Sequence, residues 1–144
     1  MSGIWHQRPT PEFLNRIHID TACSALGIEI VEVGDDFIRG TMPVDVRTRQ
    51  PYGLLHGGAS LLLAETLGSA AAMAVIDTDT FLAVGTALSA NHLRGAVKGT
   101  VTGTARPAHL GRSGHLWEID IVDDANRTLC LARLTTSVIP RQNG

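Results

Sequence analysis

One long apolar segment, from Leu54 to Ile76, constrains the fold of this chain more than any other feature of its sequence. From Gly57 onwards its apolar side chains fall on nearly every side of a helix, and such a helix needs cover around most of its surface. Glu65 is the only ionisable side chain between Gly57 and Ile76. A charge near the middle of a membrane span is costly, so we predict a buried helix of a protein without membrane spans.

The segments around this helix predict strands. Thr10 and Pro11 provide the cap and the first residue of a short helix that ends near His18. Alternating side chains and turn residues predict extended segments at 26–33, 37–42, 81–93, 97–106, 115–122 and 128–139. We therefore predict one α+β domain over residues 1–144. A hairpin precedes the long helix, an antiparallel meander follows it, and the curved sheet wraps around the helix.

Composition excludes several classes of protein. The chain has 144 residues, a net charge of −2 and no basic cluster, so nucleic acid is not an expected partner. Its first residues lack the basic and then apolar order of a signal peptide. Cys23 and Cys130 form no CxxC motif and suit a reducing compartment. We expect a cytoplasmic protein.

The lone carboxylate of the helix has two interpretations. Glu65 could form a polar stripe that faces solvent, or it could be a functional acid, since burying an unpaired carboxylate is expensive. Ser69 lies four residues further on, about 40° around the helix, so both side chains share a face and could hold one ligand or water.

The sequence His56-Gly57-Gly58 stands at the predicted start of the helix. Glycines there let a ligand approach the backbone, and they leave N–H groups exposed at the positive end of the helix dipole. Such groups can polarise a carbonyl and hold an oxyanion. The alternative is an ordinary junction between a loop and a helix.

Helix geometry separates Glu65 from the glycines at the start of the helix. Gly57 and Glu65 are eight residues apart, which is about 12 Å along one helix. One small carbonyl group therefore cannot contact both residues of the same helix. Two antiparallel helices related by a two-fold axis would bring Gly57 of one subunit towards Glu65 of the other, so we predict a homodimeric site.

Five runs of sequence resemble a known family. They are MPVD at 42–45, QPYGLLHGGAS at 50–60, AETLGS at 64–69, ANH at 90–92 and HLG at 109–111. In this order they resemble hotdog-fold thioesterases of the phenylacetate-pathway and 4-hydroxybenzoyl-CoA type. The closer resemblance is to the bacterial subgroup of 1,4-dihydroxy-2-naphthoyl-CoA thioesterases and enterobactin-pathway proofreading thioesterases. It implies a hotdog fold, sites at a dimer interface, commonly a dimer of dimers, and no metal or cofactor.

The resemblance also implies a role for each residue at the thioester. Glu65 would act as nucleophile or as general base on water. The Gly57 amide would polarise the carbonyl with help from Gln50, and His56 would line the site. Ser69 would orient the water or the acyl ring.

Other positions would contact the CoA part of an acyl-CoA substrate. His92 and Arg94 would face the CoA arm, although a structural histidine and an ordinary strand-end cation are the alternatives. Gly85 and one turn would contact pantetheine or nucleotide; the turn comprises His109, Leu110, Gly111, Arg112 and Ser113. His115 stands beyond this turn, but the two histidines have no third ligand at suitable spacing for a metal.

We expect hydrolysis of an aromatic acyl-CoA to free acid and CoA. No G-x-S-x-G motif is present, which argues against the α/β-hydrolase route. Three alternatives stay open at this point: a thioesterase that proofreads aryl-carrier proteins, a non-catalytic acyl-CoA binding module, and an enoyl-CoA hydratase. Asp45 and His56 are too far apart to be the Asp–His pair typical of hotdog hydratases.

Overall fold

The computed structural model describes residues 3–142 of the chain. Met1, Ser2, Asn143 and Gly144, which the predicted domain includes, lie outside the described residues. The elements are α1 (Pro11–Ile17), α2 (Ala22–Ala25), β1 (Glu29–Val33), β2 (Ile38–Pro43), α3 (Gly57–Ala74), β3 (Phe81–His92), β4 (Thr100–Leu110), β5 (Gly114–Val122) and β6 (Thr128–Pro140).

The first helix follows the predicted cap. The Thr10 side chain accepts a hydrogen bond from the Phe13 N–H at 3.1 Å, and Pro11 is the first residue of α1. The prediction missed α2, whose start is fixed by a capping box between Thr21 and Ser24. It also began the next strand too early, because Gly27 has a φ of 75° and lies between α2 and β1.

The sheet has six antiparallel strands in the order β1-β2-β4-β5-β6-β3. The predicted meander is therefore wrong for its first strand, because β3 pairs with β6 and not with β4. Helix α3 carries the chain across the sheet to the far edge, and β4 then returns to pair with β2. Only β4, β5 and β6 form a meander. Strands β1 and β3 are the two edges.

The core lies between α3 and the inner face of the sheet. Leu63 and Leu67 of α3 are fully buried, as is Trp117 of β5. A side-chain carbon on Gly103 of β4 would lie 2.8 Å from Leu67, so the strand can approach the helix closely only because this residue is glycine. The prediction of a sheet wrapped around one long apolar helix is confirmed.

The alternation predicted for two strands is confirmed where they pair. Trp117, Ile119 and Ile121 of β5 face inward and are buried. On β4 the buried side is the one that carries Val101 and Ala105, but this strand begins at Thr100 and not at residue 97.

Over residues 3–142, none of the helices combines the length and apolar character that crossing a membrane requires.

Candidate active site

Glu65 lies on the side of α3 that faces the edge strand β3. Its side chain is exposed in the single chain. A side-chain carbon on Gly85 of β3 would lie 3.4 Å from Glu65 Oε1, so the absence of a side chain there leaves room beside the carboxylate. Among residues 3–142, Glu65 forms no salt bridge. The carboxylate is therefore available to a ligand at the edge of the sheet.

The start of α3 differs from the sequence prediction in one respect. His56 is the cap of the helix, and its Nδ1 accepts the Gly58 N–H at 2.8 Å. The prediction of two open N–H groups is therefore wrong for Gly58. The Gly57 N–H has no acceptor within the described part of the chain. One amide thus points out of the helix start, at the positive end of the dipole.

His92 lies beside Gly57, on the side of the sheet. It is the last residue of β3, and a side-chain carbon on Gly57 would lie 3.0 Å from His92 Nε2. The sequence suggested roles for both residues, but it gave no reason to place them in contact. The tertiary structure joins the start of the helix to the end of an edge strand.

Gln50 organises the loop before α3. Its Oε1 accepts hydrogen bonds from the N–H groups of Tyr52 and Leu54, the second at 3.3 Å. The backbone of the same loop is tied down because the Leu55 N–H donates to Ala96 O at 2.7 Å. No described residue accepts from the Gln50 side-chain amide, so its N–H groups can donate to a ligand.

The remaining predicted residues fall into two groups, one near the start of α3 and one near Glu65. Arg94 follows His92 near the start of α3, and its exposed side chain forms no salt bridge with any residue from 3 to 142. Ser69 is half-buried one turn beyond Glu65.

The segment 109–113 covers the end of β4 and the turn that leads into β5. His109 and Leu110 end β4, and they do not belong to the turn itself, which is formed by Gly111, Arg112 and Ser113. The Val138 N–H of β6 donates to Ser113 O at 3.0 Å, which holds this turn beside the last strand.

The predicted site residues of the single chain therefore fall into two groups, which we call the candidate half-sites. One contains Gln50, His56, Gly57, His92 and Arg94 at the start of α3. The other contains Glu65, Gly85 and Ser69; the segment 109–113 is held against β6, whose neighbour in the sheet is β3. Because α3 is one unbroken helix from Gly57 to Ala74, its geometry keeps Gly57 and Glu65 about 12 Å apart along the axis.

Two buried polar residues next to the second half-site were not proposed as binding residues from sequence. His115 pairs with Thr136 across β5 and β6, and Thr136 pairs with Gly85 across β6 and β3. Burial lowers the pKa of His115, and the nearby His109 lowers it further. The signal in the sequence is that His115 shares the inward face of β5 with Trp117.

His109 and His115 are also the two histidines whose positions in the sequence could suggest a metal site. Within residues 3–142, no group of three or more histidine, cysteine, aspartate and glutamate side chains comes close enough to bind a metal ion.

Comparison with known proteins relates this geometry to a family. The thioesterase superfamily matches residues 52–130. The proofreading thioesterase EntH of Cronobacter turicensis is 48% identical over 136 residues, which are 94% of this chain and 98% of that protein. The 1,4-dihydroxy-2-naphthoyl-CoA hydrolase of Escherichia coli is 43% identical over 136 residues, or 94% of this chain and 99% of that protein. The crystal structure of a variant of thioesterase PA1618 from Pseudomonas aeruginosa superposes with a TM-score of 0.95. The two sequences are 45% identical, and the match covers 96% of this chain and 100% of that one.

Proposed function

Because the chain belongs to the thioesterase superfamily, has the hotdog fold and is a thioester hydrolase, we propose that it hydrolyses aromatic acyl-CoA to the free acid and CoA. The relative from Escherichia coli that is named for 1,4-dihydroxy-2-naphthoyl-CoA supports both the aromatic acyl group and the CoA thiol.

Glu65 is the proposed catalytic residue, and its placement is the observation that carries the proposal. It is the only ionisable side chain of a helix that is otherwise apolar or small, and it faces a glycine of the edge strand. A carboxylate in this position can attack the thioester carbonyl or remove a proton from water. Thiolate is a good leaving group, so one carboxylate suffices without a Ser-His-Asp triad.

The proposed electrophilic side of the site is the start of α3. As the carbonyl carbon becomes tetrahedral, its oxygen gains negative charge, and the open Gly57 N–H has the correct sign to stabilise it. The Gln50 amide provides a second donor. His56 lines the thioester and also keeps the helix start in place, because its Nδ1 holds the Gly58 N–H.

The two half-sites are proposed to meet between subunits of a homodimer. In one chain Gly57 and Glu65 are too far apart for a single carbonyl, while β3 is an edge strand that can pair with another copy. An antiparallel pairing about a two-fold axis would bring each Gly57 towards the partner's Glu65. A dimer of dimers is the proposed complete assembly.

Binding of the rest of the substrate follows from the same arrangement. We assign His92 and Arg94 to the CoA arm. We assign Gly85 and the segment 109–113, with His109, Leu110, Gly111, Arg112 and Ser113, to pantetheine or nucleotide. Ser69 would orient the attacking water or the acyl ring. The free thiols of Cys23 and Cys130 suit the reducing cytoplasm, which is our proposed location.

The deciding experiment measures thiol release from benzoyl-CoA and 4-hydroxybenzoyl-CoA by wild type and the Glu65→Ala variant. We expect kcat to fall at least about a hundredfold, because the reacting group is lost. Melting temperature and CoA binding should change little, since Glu65 forms no salt bridge with any residue from 3 to 142. Glu29→Ala is the matched control, because Glu29 is an exposed acid on β1 at the opposite edge of the sheet. A Glu65→Ala enzyme with wild-type kcat would refute the assignment.

A second candidate substrate is an aromatic acyl group on a carrier protein. The similarity to a proofreading thioesterase favours it. The same thiol-release assay with an aryl-carrier thioester distinguishes the two, because the preferred thiol is the one with the larger kcat/KM at an identical acyl group.

A further inference from the structure

Three buried polar side chains lie together on the inner face of the sheet, and the proposed reaction does not use them. His115, Trp117 and Thr136 are 5%, 0% and 1% exposed. Within residues 3–142, His115 Nδ1, Trp117 Nε1 and Thr136 Oγ1 have no hydrogen-bond partner. We call these residues the inner polar cluster. Burying an unpaired polar atom is costly, and these three atoms are available to hydrogen-bond a group from outside the chain.

The strand register brings the three side chains together. His115 and Thr136 are directly paired on β5 and β6, so their side chains lie on the same face of the sheet. Trp117 lies two residues further along β5 and therefore shares this face. The rings of His115 and Trp117 are 5.9 Å apart between centroids and meet edge to face at 89°.

The same register links the cluster to the proposed catalytic carboxylate. Thr136 is paired on its other side with Gly85, the residue whose missing side chain leaves room beside Glu65 Oε1. Neighbouring strands are about 4.8 Å apart. Thr136 and His115 are thus one and two strands inward from Gly85, a separation comparable with the length of one aromatic acyl group.

The chemistry of the cluster suits an oxygen atom. The Trp117 indole can only donate a hydrogen bond, whereas the Thr136 hydroxyl can donate and accept. Burial and the charge of His109 lower the pKa of His115, which favours the neutral ring, with one nitrogen that donates and one that accepts. A hydroxyl group, which both donates and accepts, can satisfy these partners.

We infer that His115 and Thr136, with Trp117 beside them, are specificity-determining residues that bind an oxygen substituent on the acyl group held at Glu65. The inference rests on the proposed function and extends it, because it assigns recognition of the acyl group to the interior of the sheet. An acyl group without such a substituent would leave the buried polar atoms unpaired, which is an effective way to reject it.

The test compares 2-, 3- and 4-hydroxybenzoyl-CoA with benzoyl-CoA. Wild type should prefer at least one hydroxylated substrate in kcat/KM. Thr136→Val keeps the shape of the side chain and removes the hydroxyl, so it should lower that preference by about fivefold to a hundredfold. His115→Leu should act in the same direction. Thr135→Val is the matched control, because Thr135 is the exposed neighbour on the same strand.

The outcomes separate this inference from the proposed function. Equal losses on benzoyl-CoA and hydroxybenzoyl-CoA, or a lower melting temperature with an unchanged substrate ratio, would make the cluster purely structural and overturn the inference while hydrolysis itself stands. If wild type hydrolyses none of these thioesters, calorimetric titration with hydroxybenzoates and benzoate decides. Affinity that depends on the hydroxyl and is lost in Thr136→Val supports the inference. Equal affinity or no binding overturns it.

Discussion

His92 lies against Gly57, such that a side-chain carbon on Gly57 would be 3.0 Å from His92 Nε2. The two residues belong to different elements: Gly57 is the first residue of α3 and His92 is the last residue of β3. Their contact places an imidazole beside the first residue of the helix. Any side chain at position 57 would push against that ring.

This contact allows the role of the Gly57 N–H to be isolated. Proline is well tolerated as the first residue of a helix, and His56 before it already has an extended backbone, with φ −68° and ψ 130°. Gly57→Pro should therefore keep the helix but lose the amide hydrogen. We expect kcat to fall by about a hundredfold to a thousandfold, which is typical for loss of one oxyanion donor.

Gly57→Ala is the control for crowding against His92, because it adds a side-chain carbon and keeps the N–H. Its loss of activity should be clearly smaller than that of Gly57→Pro, and steady-state kinetics measure the difference. If the two variants were equally impaired, the N–H would have no catalytic role and the contact alone would explain the effect.

Mixing two inactive variants tests the shared site. In a heterodimer of Glu65→Gln and Gly57→Pro, one site combines both substitutions, whereas the other combines an intact Glu65 with an intact Gly57. Refolding an equal mixture should restore about a quarter of wild-type activity, since half of the dimers are mixed and each has one good site. If each chain formed its own complete site, mixing would restore nothing.

His56 is predicted to have a structural role that can be separated from its chemical one. His56→Ala removes the acceptor for the Gly58 N–H and should lower the free energy of unfolding by about 1 kcal/mol. His56→Asn retains a cap and should unfold like wild type in denaturant. Lower kcat in both variants would reflect the lost imidazole, whereas full activity in His56→Asn would show that capping is its only function.

Stability should decrease in mildly acidic solution because of two histidines. Burial lowers the pKa of His18, and burial together with His109 lowers that of His115. Below the ordinary histidine pKa of about 6.5, the unfolded chain therefore binds more protons than the folded one, and the free energy of unfolding falls as the pH falls. Above that pH this contribution is fully present.

Denaturant unfolding at a series of pH values measures this slope. His115→Gln should make it shallower, because one of the two groups is removed. An unchanged slope would contradict the prediction. A separate loss is expected in stronger acid, where the carboxylates of Asp45, Asp77 and Asp123 become protonated; their pKa values are lowered in the fold, chiefly by hydrogen bonds.

Local sequence signals predicted much of the fold. The cap at Thr10, the apolar face of β5 and the all-round apolar helix each depend on residues close together in the chain, and each prediction is confirmed. The missed helix α2 is only four residues long, too short to give a periodic signal. Its capping residues Thr21 and Ser24 were the available clue.

The position of β3 could not be predicted in the same way. Its sequence specifies an extended strand, but several neighbours would satisfy its backbone equally well. It pairs with β6 because α3 crosses the sheet and delivers the chain to the far edge. A meander is the shortest connection, and the path of the buried helix outweighs that preference.

The candidate site likewise combines features that local sequence predicts with features that only the tertiary structure determines. By itself, the sequence determined that a lone carboxylate lies on a core helix whose start carries two glycines, and helix geometry alone kept Glu65 away from Gly57. Only the tertiary structure decided that Gly85 lies beside Glu65, that His92 lies against Gly57 and that His115 pairs with Thr136. These pairs join distant parts of the chain through strand register, which packing of the whole sheet against α3 selects and no local pattern encodes.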